Sequence, residues 1–210
     1  MRIACISDLH GSLRGMERLA EAEVELLIVC GDITDFGGRA EAERLLRRLM
    51  EAAPRVLAVH GNCDSEGVPE ALEALGVSLH GRGVRLGEVG FFGAGGSSKT
   101  PFNTPSELPE EEIAGLLERG YRMVSACSTL VLVSHSPPRG VADLTASGVH
   151  AGSEAVRAFV EAREPEFVVC GHIHEAKGCY SLGRSRVVNP GRLSSGLAVI
   201  DVAARRAELI

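Results

Sequence analysis

Tryptophan is absent from the 210 residues, and only two tyrosines and six phenylalanines occur. A surface that stacks unpaired bases needs aromatic side chains interleaved with a basic stripe, and the chain offers neither. Lysine stands only at Lys99 and Lys177, so the 22 basic residues are nearly all arginine, and 28 acidic residues leave a net charge of −6. That balance argues against a protein that coats nucleic-acid polymers. Long apolar runs are missing too: the longest, Leu26 to Cys30 and Thr129 to Val133, fall far short of the ~20 residues of a membrane-spanning helix. Ser7, Asp8 and His10 break the first apolar stretch too early for a secretory signal, so the expectation is a cytoplasmic protein with no membrane partner. No Cys-x-x-Cys pair exists among the six cysteines, and Cys5, Cys30 and Cys170 lie inside apolar runs, as small buried hydrophobes do. Linker-like composition shifts and internal repeats are also lacking, so residues 1–210 read as one domain.

What is present is an alternation of β-rich apolar runs with amphipathic helices, the pattern of a layered α/β fold. The strand candidates are Arg2 to Ser7, Leu26 to Cys30, Arg55 to His60, Val89 to Gly93, Thr129 to Ser134 and Phe167 to Cys170. Gly178 to Leu182, Arg186 to Asn189 and Gly196 to Val202 are close enough together to form hairpins. Helices are expected over Arg39 to Ala52, where Ala42, Leu45, Leu46, Leu49 and Met50 form the inner stripe, and after Pro109, where Ile113, Leu116, Leu117 and Val124 do. A further one follows Ser153 as N-cap, with Val156, Phe159 and Val160 inward and Pro165 past its end. Two irregular stretches remain, Gly93 to Ser106 and Pro137 to Gly152; loops of that length usually carry function.

The polar residues that carry chemistry all follow strands. Asp8 and His10 follow the first, Asp32 the second, Asn62 and Asp64 the third, His135 the run ending at Ser134, and His172 and His174 the run ending at Cys170. The carboxyl edge of an open α/β sheet is where ligands bind, so residues far apart in sequence converge there. Four imidazoles, two or three carboxylates and one amide suit Mn, Fe, Zn, Ni or Co better than Ca or Mg. They are too many for one closed tetrahedral site. Two divalent ions sharing a carboxylate, ~3.5–4 Å apart, are the economical reading.

In order, Asp8-Leu9-His10, Gly31-Asp32, Gly61-Asn62-Cys63-Asp64, Ser134-His135 and Gly171-His172-Ile173-His174 resemble the signature of the calcineurin-like metallophosphoesterases. Gly31-Asp32-Ile33-Thr34, Gly95 to Pro105, His135-Ser136-Pro137-Pro138 and Asn189-Pro190-Gly191 resemble in particular the archaeal and bacterial predicted phosphoesterases related to the cyclic-nucleotide phosphodiesterase Icc. The resemblance spans the chain. It implies a four-layer α/β/β/α sandwich and a binuclear centre: Asp8, His10 and His174 on one metal, Asn62, His135 and His172 on the other, and Asp32 between them. It also implies hydrolysis of a phosphate ester, with a metal-bridging hydroxide attacking phosphorus in line. Two divalent ions against Asp8, Asp32 and hydroxide leave a charge of about +1, which matches a phosphodiester monoanion.

One position departs from the pattern. Many members carry a His after the motif Asn, able to assist the leaving group with the adjacent acid as support; here Cys63 and Asp64 stand there. A thiol near its reference pKa of about 8.5 is a weak donor, so diesters or activated leaving groups are expected over unactivated monoesters. The catalytic set is therefore Asp32, Asn62, Cys63 and Asp64, although Asp64 could equally cap the turn before Glu66. Ser97, Ser98, Lys99, Asn103 and His150 are candidate substrate contacts. His60 is expected as a buried, hydrogen-bonded imidazole and His80 as a surface residue. The leading function is a phosphodiesterase for a small substrate, such as a nucleotide, with manganese among its metals. A non-catalytic scaffold with the same fold, a nuclease and a phosphomonoesterase are the alternatives, and a homo-oligomer is compatible with the sequence.

Overall fold

The computed structural model describes residues 1–210. Along the chain the elements are β1 (Arg2–Ile6), α1 (Arg18–Ala22), β2 (Leu26–Cys30), α2 (Arg39–Ala52), β3 (Val56–Val59), α3 (Gly67–Ala74), β4 (Gly83–Leu86) and β5 (Val89–Ala94). They continue as α4 (Glu110–Val124), β6 (Thr129–Ser134), α5 (Glu154–Arg163), β7 (Phe167–Val169), β8 (Gly178–Leu182), β9 (Ser185–Asn189), β10 (Ala198–Asp201) and β11 (Arg206–Leu209). One sheet runs β11-β10-β1-β2-β3 and the other β4-β5-β6-β7-β9-β8. β1, β2 and β3 pair in parallel, as do β5, β6, β7 and β9, while β4 and β8 close the second sheet as antiparallel edges.

β1 shows why the sheets stack. Successive strand side chains point to opposite faces, and β1 is apolar on both. Ala4 and Ile6 join Leu19 of α1, Leu45, Leu46 and Leu49 of α2 and Val68 and Leu72 of α3. Ile3 and Cys5 point the other way, against Phe91, Val131 and Val169 of the second sheet. The far face of that sheet, Phe92, Leu132 and Val168, meets Ile113, Leu116 and Leu117 of α4 and Val156 and Val160 of α5. Three apolar clusters fill three gaps, so the layers number four, α/β/β/α. Each fully buried Leu or Val contributes roughly 1.5–3 kcal/mol to that stacking.

The Ser153 cap forms as expected, its hydroxyl accepting from Val156 N–H. Glu110 adds to it: besides opening α4, its carboxylate accepts from Ser153 Oγ and from the N–H groups of Glu154 and Ala155, satisfying free donors at the α5 N-terminus. All six cysteines are free thiols, with Cys5, Cys30 and Cys170 buried. Two expectations need correction. β8 and β9 do form a hairpin, but the segment expected over Gly196 to Val202 crosses to the first sheet, where β10 lies between β1 and β11. α1, α3, β4 and β11 are elements the apolar pattern did not announce.

Candidate metal centre

The loops after β1, β2, β3, β6 and β7 meet at one edge of the sandwich, where backbone bonds tie neighbouring loops of each sheet together. Asp8 N–H donates to Gly31 O, His10 N–H to Asp32 O, and Gly171 N–H to His135 O. Asp8, His10, Asp32 and His172 all have positive φ, between 46° and 66°. A non-glycine residue there costs on the order of 1–3 kcal/mol, and such strain persists only where surrounding structure fixes it. Glycine permits the closest approach of the loops: a Cβ on Gly171 would overlap Ser7 Oγ and lie 2.8 Å from Asp8 Oδ2.

Within this cage the donor atoms face one another. His174 Nε2 lies 3.1 Å from Asp8 Oδ1 and 3.4 Å from His10 Nε2. Asp32 turns one oxygen to each side, Oδ2 at 3.7 Å from His10 Nε2 and Oδ1 at 3.4 Å from His135 Nε2. His135 Nε2 is 3.0 Å from Asn62 Oδ1, and its Nδ1 donates to Cys30 O at 2.8 Å, which fixes the ring. The His172 ring centre stands 5.2 Å from that of His135. All seven expected ligands are thus brought together. Asp8–His10–His174, Asp8–Asp32–His135 and His10–Asp32–Cys63 each offer three ligand atoms within 4.8 Å.

Whether these residues fit a cation is decided by Asp8. Its Oδ2 is buried and has no hydrogen-bond partner. A carboxylate oxygen in that state is costly unless something positive meets it. Burial alone would raise the Asp8 and Asp32 carboxyls, but the imidazoles outweigh it: His174 and His135 hold Asp8 low, and His135 holds Asp32 well below the usual range. Burial acts to lower His135, yet Asp32 and Asp8 lift it to about 9. Burial, followed by His135, lowers His172 to about 4. Two carboxylates and neutral or displaceable imidazoles around a partnerless oxygen are a donor set suited to divalent metal.

Around these ligands are residues whose roles emerge only from the fold. Asn62 Nδ2 donates to Thr104 Oγ1, and Thr104 Oγ1 to Glu107 Oε1, so the amide oxygen of Asn62 points inward. Arg192 Nε donates to His174 Nδ1 at 3.1 Å. Asp64 is fully buried and accepts from the N–H groups of Ile33, Thr34 and Gly61 and from Thr34 Oγ1. It braces the Asp32 loop against the Asn62 loop, caps no turn before Glu66 and has no solvent-exposed surface. Cys63 N–H donates to Asp32 Oδ1; burial first and Asp32 second push the Cys63 thiol far above its usual range, so it is neutral.

Beside the ligands opens a cleft of about 1080 Å³ lined by His172, Ile173, Ser98, Lys99, Phe102, Arg139 and His150, among others. Ser98 and His150 therefore stand where substrate contacts are expected. Ser97 does not: it is fully buried, its hydroxyl spent on Ser98 O. Asn103 lies outside the lining, exposed just past a turn, with φ 49°.

The two remaining histidines sit behind the site. His80 is half-buried, not on the surface, and accepts from Gly95 N–H. His60 is buried as expected, yet its Nδ1 has no hydrogen-bond partner and its ring centre is 4.7 Å from that of His80. Burial, with His80 and His135 nearby, lowers His60 to about 3. A free imidazole titrates near 6.5. Stability from the neutral ring is therefore complete above pH 6.5 and is lost as pH falls toward 3, at up to about 1.4 kcal/mol per pH unit. Urea unfolding of the metal-free protein between pH 7.5 and 5 should show a smaller acid-side loss for His60→Leu than for the wild type. Equal slopes would mean that His60 is protonated in the fold.

The family model described as calcineurin-like phosphoesterase matches residues 1–176. Uncharacterized protein MJ1162 of Methanocaldococcus jannaschii is 38% identical over 196 residues, 90% of this chain and 88% of that one. Phosphodiesterase YfcE of Escherichia coli is 39% identical over 77 residues, 31% of this chain and 41% of that one. The crystal structure of TT1561 of Thermus thermophilus matches with TM-score 0.76 at 21% identity, covering 100% of this chain and 97% of that one, a likeness of fold.

Proposed function

The chain belongs to the calcineurin-like phosphoesterase family, and from that premise we propose that it hydrolyses a small phosphodiester at a two-metal centre. The observation that carries the reading is Asp32, which presents one carboxylate oxygen to the His10 side and the other to the His135 side. Asp8, His10 and His174 would hold one ion and Asn62, His135 and His172 the other, with Mn, Fe, Zn, Ni or Co all compatible with the donors. When bound, such ions supply Lewis-acid activation of water and of the phosphoryl group.

The protein's own residues set the charge. Asp8 and Asp32 are the only carboxylates among the seven ligands. His172 is neutral at pH 7, and His135 gives up its proton when its Nε2 becomes a ligand, so loading below pH 9 releases a proton. The loaded site is then cationic and suits a diester monoanion. Cys63, neutral and facing Asp32, is a much weaker proton donor than the motif imidazole, which favours diesters over unactivated monoesters. The cleft next to His172 has room for a nucleoside-sized group. The name of the Escherichia coli relative, phosphodiesterase, points the same way. No helix is long and apolar enough to cross a membrane, and six free thiols fit a reducing compartment; this reading places the protein in the cytoplasm, with a small phosphate ester as its partner.

The test is a turnover screen of protein loaded with Mn²⁺, Ni²⁺ or Zn²⁺ against aryl diesters, cyclic nucleotides, dinucleotides and monoesters. Diester turnover should dominate. Faster turnover of phosphoserine or a nucleoside monophosphate than of an aryl diester would overturn the preference, and inactivity on every ester would overturn the enzyme reading.

A further inference from the structure

Seven histidines occur in the chain. Four belong to the candidate metal centre, and His60 and His80 pack against each other behind it. The seventh, His150, is the one non-ligand imidazole in the cleft that His172 lines. Its setting is built. Asp143 is 1% exposed, and its Oδ2 accepts from Gly140 N–H at 2.8 Å and Gly152 N–H at 3.0 Å. Its Oδ1 lies 2.6 Å from His150 Nδ1. A buried carboxylate held on three sides fixes the ring and decides which nitrogen is spent internally. Nε2 is the nitrogen left over.

The loop that carries this pair is tied to the candidate metal ligands at its start and near its middle. It leaves β6 directly after His135, and Ala146 N–H reaches Glu175, the neighbour of His174, at 3.4 Å from Oε1. Its other cleft neighbours offer no better donor to a leaving alcohol. Glu175 and Glu154 are carboxylates, Arg139 is 3.7 Å from Glu154, and Lys99 is on the loop after β5 with no buried partner to fix it. Cys63, the residue at the motif position, is a neutral thiol facing Asp32.

We propose that His150 is the proton donor to the leaving oxygen, with Asp143 as its positioning residue; this rests on the phosphodiesterase reading above. In the step, the oxygen of water bonds to phosphorus as the bond from phosphorus to the leaving oxygen breaks. The electron pair of that bond stays on the leaving oxygen, which takes the proton from His150 Nε2. The alcohol departs, His150 regains a proton from solvent, and the proton displaced from water passes to solvent. His150 thus supplies from a loop what the motif position lacks. General-acid assistance of this kind contributes about 10²–10⁴-fold, and its benefit is greatest where the leaving group is most basic.

The experiment is a series of methyl aryl and dialkyl phosphodiesters of graded leaving-group pKa, turned over by Mn²⁺-loaded wild type, His150→Gln and Asp143→Asn. Metal content and melting temperature are read alongside. In His150→Gln, turnover of the most basic leaving group should fall about 10²-fold and that of the p-nitrophenyl ester much less. The plot of log kcat against leaving-group pKa then becomes steeper. Asp143→Asn should steepen it in the same sense. A parallel drop across the series, or wild-type slopes in His150→Gln, overturns the proposal while leaving the phosphodiesterase reading intact. A wild type inert on every diester overturns both. His150→Gln keeps the test decisive if Asp143→Asn fails to fold, since His150 is half exposed.

Discussion

Asp32→Asn should lower diester turnover by at least about 10³-fold, the size expected when a few kcal/mol of electrostatic stabilisation are removed from a metal-assisted displacement. On the proposed two-metal reading, metal content after dialysis should fall from two equivalents to one or fewer. The amide keeps the shape of the carboxylate, and Cys63 N–H can still donate to Oδ1, so the fold has no steric reason to change. What changes is charge. Asp32 turns a separate oxygen toward each donor set, and an amide with one oxygen cannot present an acceptor to each.

The same substitution has a signature in the metal-free protein. His135 is held at about 9 chiefly because Asp32 and Asp8 outweigh the cost of burying it. A group whose folded pKa is raised stabilises fully below its unfolded value, near 6.5, and that stability is lost as pH rises through the folded value. In chelator, wild type should therefore lose stability relative to Asp32→Asn as pH climbs from 6.5 to 9. Inductively coupled plasma mass spectrometry gives the first result and urea titrations at several pH values the second. Two retained equivalents with unimpaired turnover would remove Asp32 from the centre of the mechanism.

Why the candidate metal ligands were legible in the sequence and their supports were not follows from how each is specified. β1, β2, β3, β6 and β7 are short apolar runs, and an apolar run betrays its own carboxyl end, so the polar residues just beyond it can be placed at one edge of the sandwich. α2 shows the same with period 3.6: its stripe of Ala42, Leu45, Leu46 and Leu49 is the buried one, over the expected bounds, although Met50 is exposed. β4 and β11 are edge strands with almost no buried residue, so no alternation marks them. α1 has five residues, too few for a periodic stripe, and α3 carries Pro69 in its first turn. Thr104, Glu107, Arg192 and Asp143 lie on loops whose partners are fixed by tertiary contact alone, and no local pattern specifies which side chain a loop aims inward. Ser97 failed for that reason: composition places it in a polar loop, but the bonds of its backbone with Ser106 and Leu108 turn the loop inward at that residue.

Gly31→Ala should be among the most damaging small substitutions in the chain, because it joins two costs at a single atom. Gly31 has φ 90°, where a residue with a Cβ pays about 1–2 kcal/mol. The added methyl would also overlap His135 Nδ1 and lie 2.9 Å from Gly61 Cα. To relieve that overlap His135 must move, breaking its bond to Cys30 O, worth about 1 kcal/mol, and withdrawing Nε2 from Asn62 and Asp32. The sum is about 2–3 kcal/mol out of a stability typically near 5–15. Gly76 supplies the control: its φ is 70°, yet an added Cβ would meet nothing within 4 Å. Gly76→Ala should therefore show the backbone cost alone and bind metal like wild type, whereas Gly31→Ala should unfold at lower urea and lose the ion that His135 would hold in the proposed two-metal centre. Equal midpoints and equal metal contents for the two variants would show that the β2 turn can yield without disturbing His135, and that the second metal position is less rigid than its hydrogen bonds make it.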